Sequence, residues 1–273
     1  MDQQSYHRPQ KRFGQNFLHD VSVIDRILAA AELTDSDSVL EIGPGLGVLT
    51  DRMLPLARRV VVMEVDRNLV ERLRRRNVSH LEVHEGDALN MDWDAVLSSP
   101  PYKLVANLPY NISSQVLFKI LDHRPLFSKL VLMFQKEVGD RLAAGPGTRD
   151  YGILSVLCQV WFDIRKVVNV PPGAFNPPPK VHSLVLEFVS RSEPRIPVED
   201  PKFFRKVVKA AFAQRRKTLR NTLTGSGFSP RAVESALERC GIDPVRRGET
   251  LTLDEFGALA RELKTSCRQE GSI

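Results

Sequence analysis

Leu104-Val105-Ala106-Asn107-Leu108-Pro109-Tyr110-Asn111-Ile112-Ser113-Ser114 is the stretch from which the rest of the chain can be read. Its three leading apolar residues read as a buried strand, and Ser113 with Ser114 as the cap of a helix through Gln115-Val116-Leu117-Phe118. Asn107-Leu108-Pro109-Tyr110 therefore falls at the carboxyl end of a strand, where open α/β sheets bind ligands. The proline restricts Leu108 to extended backbone. The Leu108 carbonyl and the Asn107 side-chain oxygen then form two fixed acceptors beside a tyrosine face. Such a set accepts both hydrogens of an exocyclic amino group while Tyr110 stacks on the ring that carries it. The same residues also suit an ordinary strand-to-helix turn, because Asn and Pro are turn formers.

Upstream, Val39-Leu40-Glu41-Ile42-Gly43-Pro44-Gly45-Leu46-Gly47 reads as a strand and a glycine turn leading into the helix of Val48-Leu49-Thr50. A dinucleotide fingerprint needs Gly or Ala at position 48, and Val48 breaks it. Gly43, Gly45 and Gly47 keep instead the spacing of an S-adenosylmethionine turn; a purely structural turn is the other reading. Val60-Val61-Val62-Met63-Glu64 is a second buried strand, and Glu64 lies 21 residues beyond Gly43. That is the offset at which a carboxylate meets ribose hydroxyls in nucleotide folds. A third strand, Leu81-Glu82-Val83, leads to Gly86-Asp87-Ala88, where Asp87 either accepts from an adenine amino group or bonds its own turn. Four successive strands thus end in a group suited to a ligand. The basic run Arg72, Arg74, Arg75, Arg76 between them reads as a helix end favourable to the local dipole.

Leu130 to Phe134 is a fifth strand, followed by a helix from Lys136 to Ala144 and a hydrophobic helix from Ile153 to Trp161. Paired strands, Ile164 to Val170 and Leu184 to Val189, flank the proline-rich loop 171–180, which is expected to present Phe175 for stacking on a base. A polar linker at 191–201 separates this body from a small helical domain at 202–273, in which Ser229 and Thr252 with Glu255 cap helices. Asp20 caps an earlier helix, and residues 1–12 read as a mobile basic arm.

The chain of 273 residues is 42% hydrophobic, enough for a large core. No apolar run approaches the length of a membrane span and the polar amino terminus is not a signal peptide, so a cytoplasmic protein is expected. Cys158, Cys240 and Cys267 are scattered and the six histidines lack ligand spacing; neither a disulfide framework nor a metal is expected. Residues 1–200 hold 24 Lys and Arg against 25 Asp and Glu, whereas residues 201–273 hold 15 against 8. The excess behind the net charge of +6 therefore lies wholly in the last quarter, which suits a polyanionic partner such as RNA.

Asn107-Leu108-Pro109-Tyr110 resembles the catalytic motif of N6-adenine methyltransferases, and the wider set is more specific. Phe13 to Leu18, Glu41 to Gly47, Glu64, Gly86-Asp87-Ala88, Asn107 to Tyr110, Phe175 to Ser183 and Gln214 to Asn221 follow the order seen in bacterial small-subunit ribosomal RNA adenine dimethyltransferases, the kasugamycin-resistance dimethylases. The resemblance implies an α/β fold, a seven-stranded Rossmann-like S-adenosylmethionine methyltransferase sheet over 13–190 followed by the helical domain. It implies cofactor contacts from Asn16, Leu18, Gly43, Glu64, Asp87 and Asn107, and chemistry at Asn107, Leu108, Pro109, Tyr110 and Phe175. The substrate it implies is a pair of adjacent adenosines in the 3′ hairpin loop of 16S rRNA, within the assembling small subunit. RNA contacts are expected from Arg215, Arg216, Lys217 and Arg220, and a monomer without metal is expected. Two other readings stay open: a large-subunit methylase of the erythromycin-resistance type, and a non-catalytic ribosome-assembly factor.

Overall fold

In the computed structural model, which describes residues 15–269, nine strands succeed one another: β1 (Phe17–Leu18), β2 (Ser38–Ile42), β3 (Arg59–Glu64), β4 (Leu81–Glu85), β5 (Tyr102–Asn107), β6 (Phe127–Gln135), β7 (Phe162–Val170), β8 (Phe175–Asn176) and β9 (Ser183–Ser190). The arm expected at 1–12, with Phe13 and Gly14, lies outside the described residues. Two compact units are formed, one by residues up to Gly139 with Ile164–Ser190, the other by Asp140–Asp163 with the chain from Arg191 onward.

In the first unit seven strands form one sheet in the order β4-β3-β2-β5-β6-β9-β7, as the resemblance implied. β2, β3 and β5 are near-continuous apolar runs because helices cover both faces of a parallel sheet. β2 pairs parallel with β3 (Val39 beside Val60, Ile42 beside Met63) and with β5, and β6 continues the parallel run. β9 then lies antiparallel to β6, with Leu132 opposite Leu186. The chain moves outward from β2 to β4 and crosses back to β5, so the order reverses between β2 and β5. Ligand crevices open at the carboxyl ends of such reversals.

A separate two-stranded ladder joins β1 to β8, Phe17 opposite Asn176 and Leu18 opposite Phe175. Directly after it Asp20 caps the helix Val21–Ala31, accepting from the Val23 amide at 3.1 Å. The helix after β5 behaves differently from expectation. It spans Ser113–Asp122 with Ile112 at its cap position, and the Ser113 hydroxyl donates back to the Tyr110 carbonyl at 3.2 Å. Neither serine caps it, because the turn from Pro109 already closes with the Ile112 amide on the Pro109 carbonyl.

The second unit is helical. Helices Pro201–Ala211, Leu219–Gly225, Pro230–Arg239 and Leu253–Gln269 bury Val207, Leu223, Val233, Phe256 and Leu263, and the rings of Phe212 and Phe256 stack at 5.8 Å. Ser229 caps one helix, and Thr252 with Glu255 forms the expected capping box. Helix Ile153–Trp161 groups with these rather than with the sheet, because its buried Val156, Leu157 and Val160 pack on helix Pro201–Ala211. Residues 191–201, read as a linker, are strapped to it. The Arg191 and Arg195 amides donate to the carbonyls of Trp161 and Val160, and both guanidinium groups pair with Asp163.

Candidate active site

At the carboxyl ends of β2, β3, β4 and β5 a cleft opens, lined by Asn16, Leu18, Gly43, Glu64, Asp87, Asn107, Leu108, Pro109 and Tyr110. Every residue expected to serve cofactor or catalysis is therefore gathered there, with one exception.

The exception is Phe175. The proline-rich segment was expected to present its ring for stacking, but the residue lies on β8 opposite Leu18, is 2% exposed and belongs to the hydrophobic core of the sheet unit. Pairing with β1 turns the ring inward. Leu18 and Phe175 together hold β1 against the cleft instead.

The glycine turn owes its shape to two close approaches. Gly45 has φ +60°, and a Cβ there would stand 2.9 Å from the Phe17 ring. At Gly47, φ +83°, a Cβ would stand 2.2 Å from the Arg76 guanidinium. Arg76 was expected to serve only the helix dipole. Its Nη2 in fact donates to the Leu46 carbonyl at 2.8 Å and to Asp51 at 2.9 Å, clamping the turn. Pro109 closes on the same turn from the other side, 3.4 Å from where a Gly43 Cβ would be, so the carboxyl ends of β2 and β5 are packed together.

Glu64, 5% exposed, accepts the Gly45 amide on Oε2 at 3.2 Å and the Val65 and Asp66 amides on Oε1, each at 2.9 Å. Burial raises its pKa, and the three amide hydrogen bonds oppose that shift. Asp87 accepts the Leu89 amide on Oδ1 and the Asn90 side chain on Oδ2, so its turn role is realised while it lines the cleft. The Asn107 amide is oriented by Asn16: Nδ2 donates to the Asn16 carbonyl at 3.2 Å, leaving Oδ1 as the acceptor. Tyr110 is half-buried and its hydroxyl bonds the buried Ser183 hydroxyl of β9 at 2.6 Å. Reading the sequence missed the roles of Ser183 and Arg76, since neither lies in a local pattern that signals it.

Glu41 lines the cleft as well. It is 2% exposed and accepts from the Thr50 hydroxyl at 2.5 Å; burial pushes its carboxyl up to about 8, the Thr50 hydrogen bond opposing. The folded chain therefore keeps a proton that the unfolded chain releases near 4.5. Stability falls as pH rises from that value toward 8. Glu41→Gln mimics the neutral acid, so melting midpoints measured from pH 5 to pH 9 should match wild type at the acid end and exceed it by several degrees at the alkaline end. Parallel curves would remove Glu41 from this account.

Arg215, Arg216, Lys217 and Arg220 lie in the helical unit and are exposed. Arg215 pairs with Glu249 and Arg220 with Glu234, so these two exchange one partner for another if they meet phosphate.

With this geometry in place, comparison with known proteins is specific. The family described as ribosomal RNA adenine dimethylase matches residues 6–265. Ribosomal RNA small subunit methyltransferase A of Syntrophotalea carbinolica is 67% identical over 255 residues, 93% of this chain and 97% of that protein. A crystal structure of a dimethyladenosine transferase from Plasmodium falciparum matches with TM-score 0.77 at 29% identity, over 93% of this chain and 98% of that one. The 23S rRNA methyltransferase ErmE matches with TM-score 0.68 at 27% identity, over 91% and 100%.

Proposed function

The chain belongs to the ribosomal RNA adenine dimethylase family, and from that premise we propose that it dimethylates N6 of two adjacent adenosines in the 3′-terminal hairpin loop of 16S rRNA. It is an S-adenosylmethionine-dependent enzyme. The bound cofactor supplies a methyl group made electrophilic by its sulfonium.

The donor set fits that cofactor. Glu64 keeps lone pairs beyond its three amide bonds for ribose hydroxyls, and each Asp87 oxygen keeps one for the adenine amino group. Gly43 lets the ligand approach the backbone, and Asn16 and Leu18 hold the methionine end. At the reaction centre, Asn107 Oδ1 and the Leu108 carbonyl accept the hydrogens of the target amino group. They favour the pyramidal form in which the nitrogen lone pair is free, and Tyr110, steadied by Ser183, stacks on the base. The N6 proton becomes acidic once the methyl has transferred and leaves to solvent, so no strong base is needed. Stacking falls to Tyr110 alone, since Phe175 is buried.

One observation carries this reading: the Asn107 amide is fixed by its Nδ2 on the Asn16 carbonyl, so that its oxygen is presented as acceptor. An unpaired loop adenosine can be splayed into the cleft at low cost. The enzyme acts as a monomer on the assembling small subunit, in the cytoplasm; no helix among the described residues is long and apolar enough to cross a membrane.

The test is incubation with labelled S-adenosylmethionine and unmethylated small subunits, and in parallel with large subunits, followed by nucleoside analysis. Dimethyladenosine in 16S rRNA is expected. Label in 23S rRNA would point to the erythromycin-resistance type, and no transfer by cofactor-bound protein to a non-catalytic assembly factor.

A further inference from the structure

The turn that carries Asp87 closes on itself and is then held from outside by a cation. The Asp87 carbonyl accepts the Asn90 and Met91 amides, and the buried Trp93 indole donates to the Ala88 carbonyl at 2.9 Å. Met91 folds back over Gly86, where a Cβ would stand 2.8 Å from the Met91 Cε. These bonds engage the amides of the turn and leave the Leu89 and Met91 carbonyls to a partner beyond it. Both accept from the Lys119 ammonium, Leu89 at 2.9 Å. Lys119 is half-buried on helix Ser113–Asp122, which begins three residues after Tyr110. Its Nζ stands 5.1 Å from the centroid of the Trp93 ring, and its charge is attracted to that of Asp87. The Leu89 carbonyl and the Asn90 amide belong to one planar peptide. Lys119 therefore fixes the plane whose N–H closes on the Asp87 carbonyl, while the Leu89 amide holds Asp87 Oδ1.

Resting on the reading of Asp87 as the acceptor of the cofactor's adenine amino group, we infer that Lys119 is a positioning residue for cofactor recognition: by holding the Leu89 and Met91 carbonyls it sets the Asp87 carboxylate against the adenine edge. An acceptor on a loose turn has to be ordered when the ligand binds, and that cost is subtracted from the hydrogen bond it makes. A turn already fastened on both sides, by Trp93 at Ala88 and by Lys119 at Leu89 and Met91, avoids it. The fastening comes from the helix that rises out of the catalytic turn, so one element serves Tyr110 at its start and the adenine loop along its length.

The test compares binding of S-adenosylhomocysteine with that of S-inosylhomocysteine, which carries a carbonyl in place of the adenine amino group. Both are titrated by calorimetry into the full wild-type chain, Lys119→Met and Lys119→Arg, and melting midpoints are taken beside them. Wild type should prefer the adenine ligand by about 10- to 100-fold, the range for a charge-assisted hydrogen bond. Lys119→Met keeps an apolar stem over Trp93 and removes every N–H donor. It should weaken S-adenosylhomocysteine by about 10-fold and S-inosylhomocysteine by no more than about two-fold, compressing the preference, and Lys119→Arg should restore most of it. If the Met variant did not fold, Lys119→Gln, with donors to one carbonyl and no charge, takes its place and should compress the preference in the same direction. A tie that served stability alone would lower the midpoint and leave the preference as in wild type. That result would overturn the inference, as would equal weakening of both ligands. Wild type indifferent to the two ligands would instead remove Asp87 from adenine recognition and the inference with it, an outcome separate from a failure at Lys119.

Discussion

Asn107→Ala lowers methyl transfer by about two to three orders of magnitude at saturating cofactor and rRNA, the loss typical when one preorganised polar group is removed from a reaction centre. The reasoning starts from the substrate. An aromatic amine is a weak nucleophile because its lone pair is delocalised into the ring, and only acceptors set for the pyramidal form stabilise the transition state more than the ground state. Alanine removes one of the two acceptors proposed for the target amino group and also the Nδ2 donor to the Asn16 carbonyl. The expected signature is a fall in kcat with little change in KM for rRNA. A variant that lost affinity and kept kcat would assign Asn107 to binding. Since Asn107 also lines the cofactor cleft, affinity for S-adenosylhomocysteine should be measured beside the rate, and a change of no more than a few-fold is expected there.

Glu64→Gln should weaken S-adenosylmethionine binding by about 10- to 100-fold, the range for loss of a charge-assisted hydrogen bond. The carboxylate serves three amides at once, those of Gly45, Val65 and Asp66. Glutamine has one acceptor oxygen. If that oxygen stays with Val65 and Asp66, the new NH2 group faces the Gly45 N–H, and two donors oppose each other at the glycine turn. On the proposed reading the ribose then loses a charged acceptor, and the turn loses its tether. Titration calorimetry reads the affinity, and a melting curve taken beside it separates a damaged site from an unfolded one. Unchanged affinity would remove Glu64 from the ribose-binding role.

Much of this site was legible because it is written in local patterns. A buried parallel strand declares itself as an apolar run, and the group that follows it must stand at the sheet's carboxyl edge; Glu64, Asp87 and Asn107 were placed in this way. Caps that act within one turn were equally readable, as at Asp20, Ser229 and the Thr252–Glu255 pair. What escaped depends on pairings between distant segments. Phe175 sits among prolines that suggest an exposed loop, and only the partnership of β8 with β1 turns it inward. Arg76 follows a run of arginines that reads as a solvated helix end, yet its guanidinium reaches back to Leu46. Ser113 matches a capping residue by type, but the turn from Pro109 had already supplied the closure. The polar stretch 191–201 has the composition of a linker, and its fastening by Asp163 has no counterpart in periodicity.

The ladder between β1 and β8 also sets a timetable. All of the cleft's lining residues lie at or before Ile112, so a chain leaving the ribosome exposes every one of them early. Yet Phe17 and Leu18, which line the cleft, pair among the described residues with Phe175 and Asn176, and the hydroxyl that steadies Tyr110 belongs to Ser183. A nascent chain stopped before those positions holds the chemistry without the frame. An amino-terminal fragment ending soon after Tyr110, which lacks these partners, should therefore be inert.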